Sequence, residues 1–576
     1  MAFLLKRVER PRELKWYQAG AMLYGDWGTS KAYVLGIAFA LAGHASWFFL
    51  GCMSILVFVV GLCYMLICRT YPDGGGVYSS VKHRSQLLAV IGAFLLFADY
   101  VVTASLSTLD AFHYFNVPHP ELWAIGSILM IGALNWFGPS KSGTVASWIA
   151  VGATLSAGLL IVFTIPHITQ ADLRLPTTGL FKNWSVFVGI VLALSGVEAV
   201  ANMTGIMVQP VEKTSKRAIW PVLLEVSILT FLLGIAMNSI PGLSGHTEDM
   251  LSALGDHYIA PWFGKLISVL FGLLLLSAAN TAIAGLVSIQ FVMAKDRELP
   301  AFFAKLNRYG MPGVALAVAV GVPIIVLLFS SNIVELAALY AIGVVGAITL
   351  NLGTTATNFK LQLKKRERLL LLVSTVVLFF IEVTIAIEKR NALIFALTIL
   401  GGGLLLRWLA KIIVIPVPVP GIVPNSSVLT VSEAKEIAPL YTSTSLVALK
   451  QLNLHVLNDA ALRAKMLGEN AIYVSYVDEM PPSAEFLDEI EPSRDSLEVF
   501  AKAEQEMEKK GITVVPVWQI GENSGKMIAR AARELGVNTV MIGTTRRGRL
   551  VNILRGDVLR TLVTHLPKEC RLLISG

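Results

Sequence analysis

Three carboxylates sit where carboxylates are costly. Asp26 lies in the stretch Gly25-Asp26-Trp27-Gly28-Thr29-Ser30-Lys31-Ala32-Tyr33, Asp99 in Phe97-Ala98-Asp99-Tyr100, and Glu198 in Ser195-Gly196-Val197-Glu198. Each is embedded in a long apolar run. A charged side chain at the centre of a bilayer costs at least ~2.5–3.5 kcal/mol, so its presence there marks a functional site. Hydroxyls accompany the acids. Thr29 and Tyr33 follow Asp26, Ser195 precedes Glu198, and Asp99, Thr103 and Ser107 are four residues apart and share one helical face. Oxygen donors around a carboxylate suit hard alkali cations. Three anions in one low-dielectric site cannot all stay charged without partners. Glu198, with no basic residue near it in sequence, is the one assigned to take up and release a proton. The competing readings are that the glycines only permit close helix packing and that Thr103 and Ser107 bond back to their own helix. Tyr340 is a weaker candidate, as packing or gate. Glu225, Lys265, Glu335 and Glu382 lie near the ends of apolar blocks, where long side chains snorkel.

These residues need a membrane to position them. The 576-residue chain is 55% hydrophobic and only 15% charged, with mean hydropathy +0.66. A span needs ~20 apolar residues. About twelve such blocks are found, at 17–43, 46–70, 85–113, 121–138, 143–166, 184–208, 217–240, 260–294, 313–331, 334–357, 367–387 and 391–412. The long eighth block has room for a helix lying along the cytosolic surface. Lys and Arg crowd the N-terminal segment and the connections after spans two, six, eight and ten, which puts those connections and both termini in the cytosol. The net charge of +8 is read as this cytosolic excess, so membrane lipid is the expected surroundings and nucleic acid is not a partner. Cys52, Cys63, Cys68 and Cys570 form no disulfide framework or metal spacing. No nucleophile–base pair stands out, so an enzyme is not expected.

Glycines and carboxylates interrupt spans one and six, five spans apart. Carriers built from two five-helix inverted repeats (the LeuT-like arrangement) break their helices at these corresponding positions, with the substrate between them. An ionised Asp26 there would repel the carboxylate of an amino acid and attract a cation. The expected fold is therefore an α-helical polytopic membrane protein with a 5+5 inverted repeat at 1–413, followed by a Pro-rich linker at 414–426. Residues 427–576 alternate strand and helix: strands at 427–431, 471–477, 512–518, 538–543 and 571–575, helices at 456–468, 494–510, 523–535 and 552–566. That order implies a cytosolic α/β doubly wound domain with a parallel sheet.

The span-one stretch resembles the GDxGTSxxY signature of the KUP/HAK/KT potassium-uptake transporters, with Asp26 and Tyr33 at the family's spacing. The whole layout is similar to the KimA branch of the amino acid–polyamine–organocation superfamily. There the third span carries Asp-Tyr-x-x-Thr-x-x-x-Ser, as Asp99, Tyr100, Thr103 and Ser107 do here. The sixth carries a hydroxyl residue three before Glu, as Ser195 and Glu198 do; the family more often has threonine. Tyr340 resembles a tenth-span tyrosine near the ion site. Pro72-Asp-Gly-Gly-Gly-Val-Tyr78 resembles a stretch shared across the superfamily and says nothing of substrate. The resemblance implies high-affinity-type, proton-coupled potassium import across the plasma membrane of a prokaryote. K+ would be held at Asp26, Tyr33, Thr103 and Ser195, with Thr29, Asp99, Tyr100, Ser107 and Tyr340 lining the path and Glu198 coupling the proton. No cofactor is required beyond the transported K+ and H+. A proton-coupled amino-acid or polyamine permease is the alternative.

The C-terminal segment resembles a universal stress protein domain. Nucleotide-binding members carry Gly-x2-Gly-x9-Gly-(Ser/Thr), whose backbone amides and hydroxyl hold phosphates. Here Gly543 and Gly556 keep the register, Arg546 replaces the second glycine and Asp557 replaces the hydroxyl residue. Arg546, Arg547 and Arg549 keep the loop basic, with Gly548 among them as a further candidate contact. ATP in the usual mode is disfavoured. Cyclic di-AMP or another adenine nucleotide stays open as a regulatory ligand, beside a role in forming a homodimer through the last strand.

Overall fold

The computed structural model describes residues 14–82, 84–137, 143–240, 243–307, 311–412, 426–479, 492–521, 523–544 and 557–575, together with residues 6, 7, 12, 424, 489 and 490. The membrane half is helical throughout. Each of the twelve apolar blocks coincides with a helix or a pair of helices. By length and composition alone, eight continuous stretches among the described residues could cross a membrane, or nine with one bent pair. The count is smaller because Trp16–Thr70 runs on as one 55-residue stretch, and because Pro120–Trp136 and Gly313–Phe329, 17 residues each, fall short of the length required.

The first span is two helices, Trp16–Trp27 and Ser30–Ala42. The sixth is Leu180–Gly189, then a 3-10 turn at Val191–Leu194 and a short helix at Ala199–Asn202, bent by 44°. The sixth-span interruption is a bent break, while the first is slighter, two turn residues, Gly28 and Thr29, that keep right-handed helical dihedrals. The other spans that matter here are continuous: the third, Gln86–Tyr114, the seventh, Val211–Ala236, and the tenth, Ile333–Ala356. The eighth block is one unbroken helix, Pro261–Lys295. It contains no separate surface helix, because nothing between Trp262 and Lys295 breaks the backbone ladder; 35 residues at 1.5 Å each simply outrun a ~30 Å core.

The described part of the C-terminal domain is a five-stranded parallel sheet: β1 Ser445–Ala448, β2 Ala471–Glu479, β3 Thr513–Gly521, β4 Thr539–Gly543 and β5 Arg571–Ser575, in the order β3-β2-β1-β4-β5. Helices Leu454–Leu467 and Arg494–Glu508 cover one face through Val456, Ala460 and Phe500. Ser524–Glu534 and Val558–His565 cover the other through Ile528, Ala532 and Leu562. The strand expected at 427–431 is absent. Leu429 makes a single bridge to Val517, and Thr430 instead caps a helix, Val431–Ile437, in a Thr-x-x-Glu box with Glu433. The central strand is Ser445–Ala448, four buried residues too short to show a period. Most of the Pro-rich linker lies outside the described residues.

Candidate functional site: two broken spans in contact

The breaks in spans one and six touch. Gly196 has φ +83°, and a Cβ placed on it would lie 2.6 Å from the Trp27 amide nitrogen and 2.8 Å from the Asp26 carbonyl carbon. Only glycine allows that conformation and that approach together. Side chains take up the carbonyls freed at the first break. Thr29 Oγ1 donates to the Asp26 carbonyl, and Ser30 Oγ donates to that of Trp27 at 2.8 Å. At the second break the Glu198 carboxyl lies near the Gly196 amide. The carbonyls at the first interruption are therefore not stranded.

The acidic and hydroxyl residues converge on this contact. Asp26, Thr29, Tyr33, Asp99, Thr103, Ser107, Ser195, Glu198 and Tyr340 are all buried. Asp99 lies within electrostatic reach of Asp26, and Glu198 within reach of both. Tyr340, on the tenth span, faces Asp99, Glu198, Tyr33 and Asp26, and Tyr33 faces Ser195 and Thr29. The tenth span gets close because Gly343 packs on the third-span backbone, where a Cβ would sit 2.7 Å from the Asp99 amide. Thr103 Oγ1 is 2.9 Å from the Asp99 carbonyl and 3.3 Å from Asp99 Oδ1. It bonds back to its own helix, as the competing reading had it, and it touches the carboxylate as well. Among the described residues Asp99 Oδ2, Glu198 Oε2 and Ser195 Oγ have no hydrogen-bond partner. No three His, Cys, Asp or Glu side chains among the described residues come close enough to hold an ion together. A cation here would combine a carboxylate with hydroxyl and carbonyl oxygens, the donor set of an alkali ion and not of a transition metal.

Tyr100, also on the third span, reaches the sixth. Its hydroxyl accepts from Asn202 Nδ2 at 2.8 Å, and its ring packs on Gly285 of the eighth span. These contacts tie the third span to the sixth and eighth.

Lys31 and Glu225 were not joined by the sequence. Lys31 is fully buried, and its Nζ lies 2.7 and 2.9 Å from the two carboxylate oxygens of Glu225 on the seventh span. Tyr24 OH adds a bond to Glu225 at 3.0 Å. Glu225 does not snorkel. A buried lysine needs a counter-charge, and the sequence signal was a lysine inside an apolar block. The consequence is electrostatic: the cation closest to Asp26 in sequence is neutralised elsewhere. Glu335 accepts from Ser330, and Glu382 lines a groove of about 420 Å3 with Arg84 and Leu95.

On the Lys- and Arg-rich side, the Pro72–Tyr78 stretch seals the sixth-span break. Gly75 N–H donates to the Ala201 carbonyl at 3.1 Å and to Thr204 Oγ1 at 3.0 Å, and Asn351 donates to the Gly75 carbonyl at 3.2 Å.

In the C-terminal domain, Gly543 ends β4 against Asn453, the cap of the first flanking helix. Arg546, Arg547, Gly548 and Gly556 lie outside the described residues. Asp557 Oδ1 accepts from the Leu559 and Arg560 amides at 2.8 and 3.4 Å. The helix amides that a phosphate would use are already held by a carboxylate.

Comparison with known proteins agrees with this architecture. Residues 14–430, well over half of the chain, match the amino acid permease family, and residues 446–571 match the universal stress protein family. The potassium transporter KimA of Bacillus subtilis is 26% identical over 373 residues, covering 58% of this chain and 60% of that protein. The uncharacterized transporter lpg1691 of Legionella pneumophila is 27% identical over 293 residues, 46% of this chain and 62% of its own length. The probable potassium transport system protein Kup 1 of a Bradyrhizobium species is 27% identical over 208 residues, 31% and 34% of the two chains. The matched region thus spans less than two thirds of each of these relatives.

Proposed function

We propose that this chain, which belongs to the amino acid permease family, carries potassium into the cell by symport with protons. The observation that carries the reading is Asp26: a buried carboxylate set in the contact between two broken spans, with Lys31 paired to Glu225. A carrier of zwitterionic amino acids uses that position to hold a carboxylate, which Asp26 would repel. Potassium is favoured over other cations by the hydroxyl-rich donor set and by the relatives named for potassium transport. In this reading K+ is held by Asp26, Tyr33, Thr103 and Ser195, with Thr29, Asp99, Tyr100, Ser107 and Tyr340 along its path, and Glu198 exchanges the coupled proton. The protein sits in the plasma membrane with both termini cytosolic, as the Lys and Arg distribution supports. The C-terminal domain serves a homodimer or responds to a nucleotide such as cyclic di-AMP.

The test is rubidium or potassium uptake into proteoliposomes under an inward proton gradient, with wild type and Asp26→Asn. Uptake that needs the gradient and collapses in the variant supports the reading. A charge-assisted contact is worth ~1.5–3 kcal/mol, so the variant should lose about 10- to 150-fold in kcat/KM. Spermidine or amino-acid flux without potassium flux would replace it with the permease alternative.

A further inference from the structure

Asp110 belongs to the third span but not to the central cluster. It lies three turns beyond Asp99, about 16 Å along the helix axis, on the same face as Asp99, Thr103 and Ser107. It is completely buried, and neither carboxylate oxygen has a hydrogen-bond partner among the described residues. The groups in its electrostatic reach come from three elements: Glu248 and Asp249 from the connection between spans seven and eight, Tyr33 from the first span, and Tyr114 from its own helix. The two histidines nearby are engaged by the connection. His113 Nδ1 is 2.6 Å from Glu248, and His246 Nδ1 is 3.0 Å from Asp249. Tyr114 OH donates to the Ala32 carbonyl at 2.8 Å. The connection is seated firmly over this point, because any side chain at Gly36 would overlap the Thr247 carbonyl.

A buried carboxylate left alone costs several kcal/mol, so something must neutralise it. The placement indicates what. Going inward from the side opposite the basic loops, the acids run Glu248 and Asp249, then Asp110, then Asp26 and Asp99. Tyr33 lies within reach of both Asp110 and Asp26. Thr103 and Ser107 fill the helix face between. A row of this kind offers a dehydrating monovalent cation oxygen contacts at each step. Two stations sharing one tyrosine would also let the arrival of a second ion displace the first by repulsion.

We infer that Asp110 is an outer binding station for an alkali cation, closed over by the 244–258 connection and distinct from the site at the helix breaks. The inference rests on the cation-transport reading. Its test is rubidium binding counted per chain on the purified full-length protein. Asp110→Asn should bind one rubidium fewer than wild type. Asp26→Asn, which leaves Asp110 intact, should still bind rubidium. An unchanged count in Asp110→Asn would overturn the inference and identify Asp110 as a protonated structural acid, as would loss of all rubidium in Asp26→Asn. Should Asp110→Asn fail to fold, the Asp26→Asn count decides alone. Wild type that neither binds nor transports rubidium overturns both the inference and the reading beneath it. Wild type that transports with only the Asp26 site overturns the inference alone.

Discussion

Gly196 packs directly on the backbone of Trp27, with 2.6 Å between the Trp27 nitrogen and the place where a Cβ would stand. This contact joins the breaks of spans one and six into one site. Gly196→Ala would have to relieve both the overlap and a positive φ. The conformation alone costs ~1–2 kcal/mol, and Trp27 is fully buried, so the neighbour cannot move away cheaply. The variant should lose rubidium uptake and melt earlier in detergent. Wild-type uptake in Gly196→Ala would show that the breaks need not touch.

Lys31 and Glu225 form a pair inside the membrane domain, with side chains 0% and 12% exposed. Removing one member strands a buried charge, at ~3–5 kcal/mol, whereas replacing both by apolar or neutral groups is close to neutral. Lys31→Met and Glu225→Gln should each lower the unfolding temperature sharply, and the double variant should recover most of the loss. A double variant as unstable as the sum of the singles would argue against the pairing.

Tyr100 separates a bracing role from an ion contact. Tyr100→Phe keeps the ring on Gly285 and loses the bond from Asn202, a net cost of ~0.5–1.5 kcal/mol. Uptake kinetics should stay close to wild type while stability drops by that amount. A large rise in KM for rubidium with stability intact would make the Tyr100 hydroxyl a direct ion ligand.

The latch between His113 and Glu248 fixes a pH response. The hydrogen bond from His113 is the main cause holding the Glu248 carboxyl below its ordinary value, against a smaller opposing effect of burial. A depressed carboxyl contributes stability that is fully present above its unfolded value, ~4.3, and is lost as pH falls through its lowered folded value. Hydrogen exchange in residues 244–258 should therefore be unaffected by Glu248 titration above about pH 5 and should accelerate below about pH 4. In Glu248→Gln that acid-side acceleration should disappear.

Much of this protein is determined locally and is legible in the chain. Apolar blocks of fixed length must be helices where no water can satisfy the backbone, so the helices fall where hydropathy puts them. Glycine, serine and threonine beside Asp26 and Glu198 marked both breaks, because only such residues leave a helix unwound and still satisfy its carbonyls. Asp99 and Thr103 were placed on one face by a four-residue spacing. What the sequence did not carry were relations between residues far apart. Lys31 finds Glu225 across 194 positions, and no periodicity encodes that. Asp110 shares its helix face with Asp99, yet the case for it rests on its having no hydrogen-bond partner among the described residues, which only packing reveals. In the C-terminal domain a Thr-x-x-Glu cap overrode the strand pattern at 427–431, and four buried residues became the central strand because their neighbours on both sides supplied the ladder. Tertiary structure decided these points because burial turns a charge or an unpaired amide from a harmless local feature into one whose partner must be found anywhere in the fold.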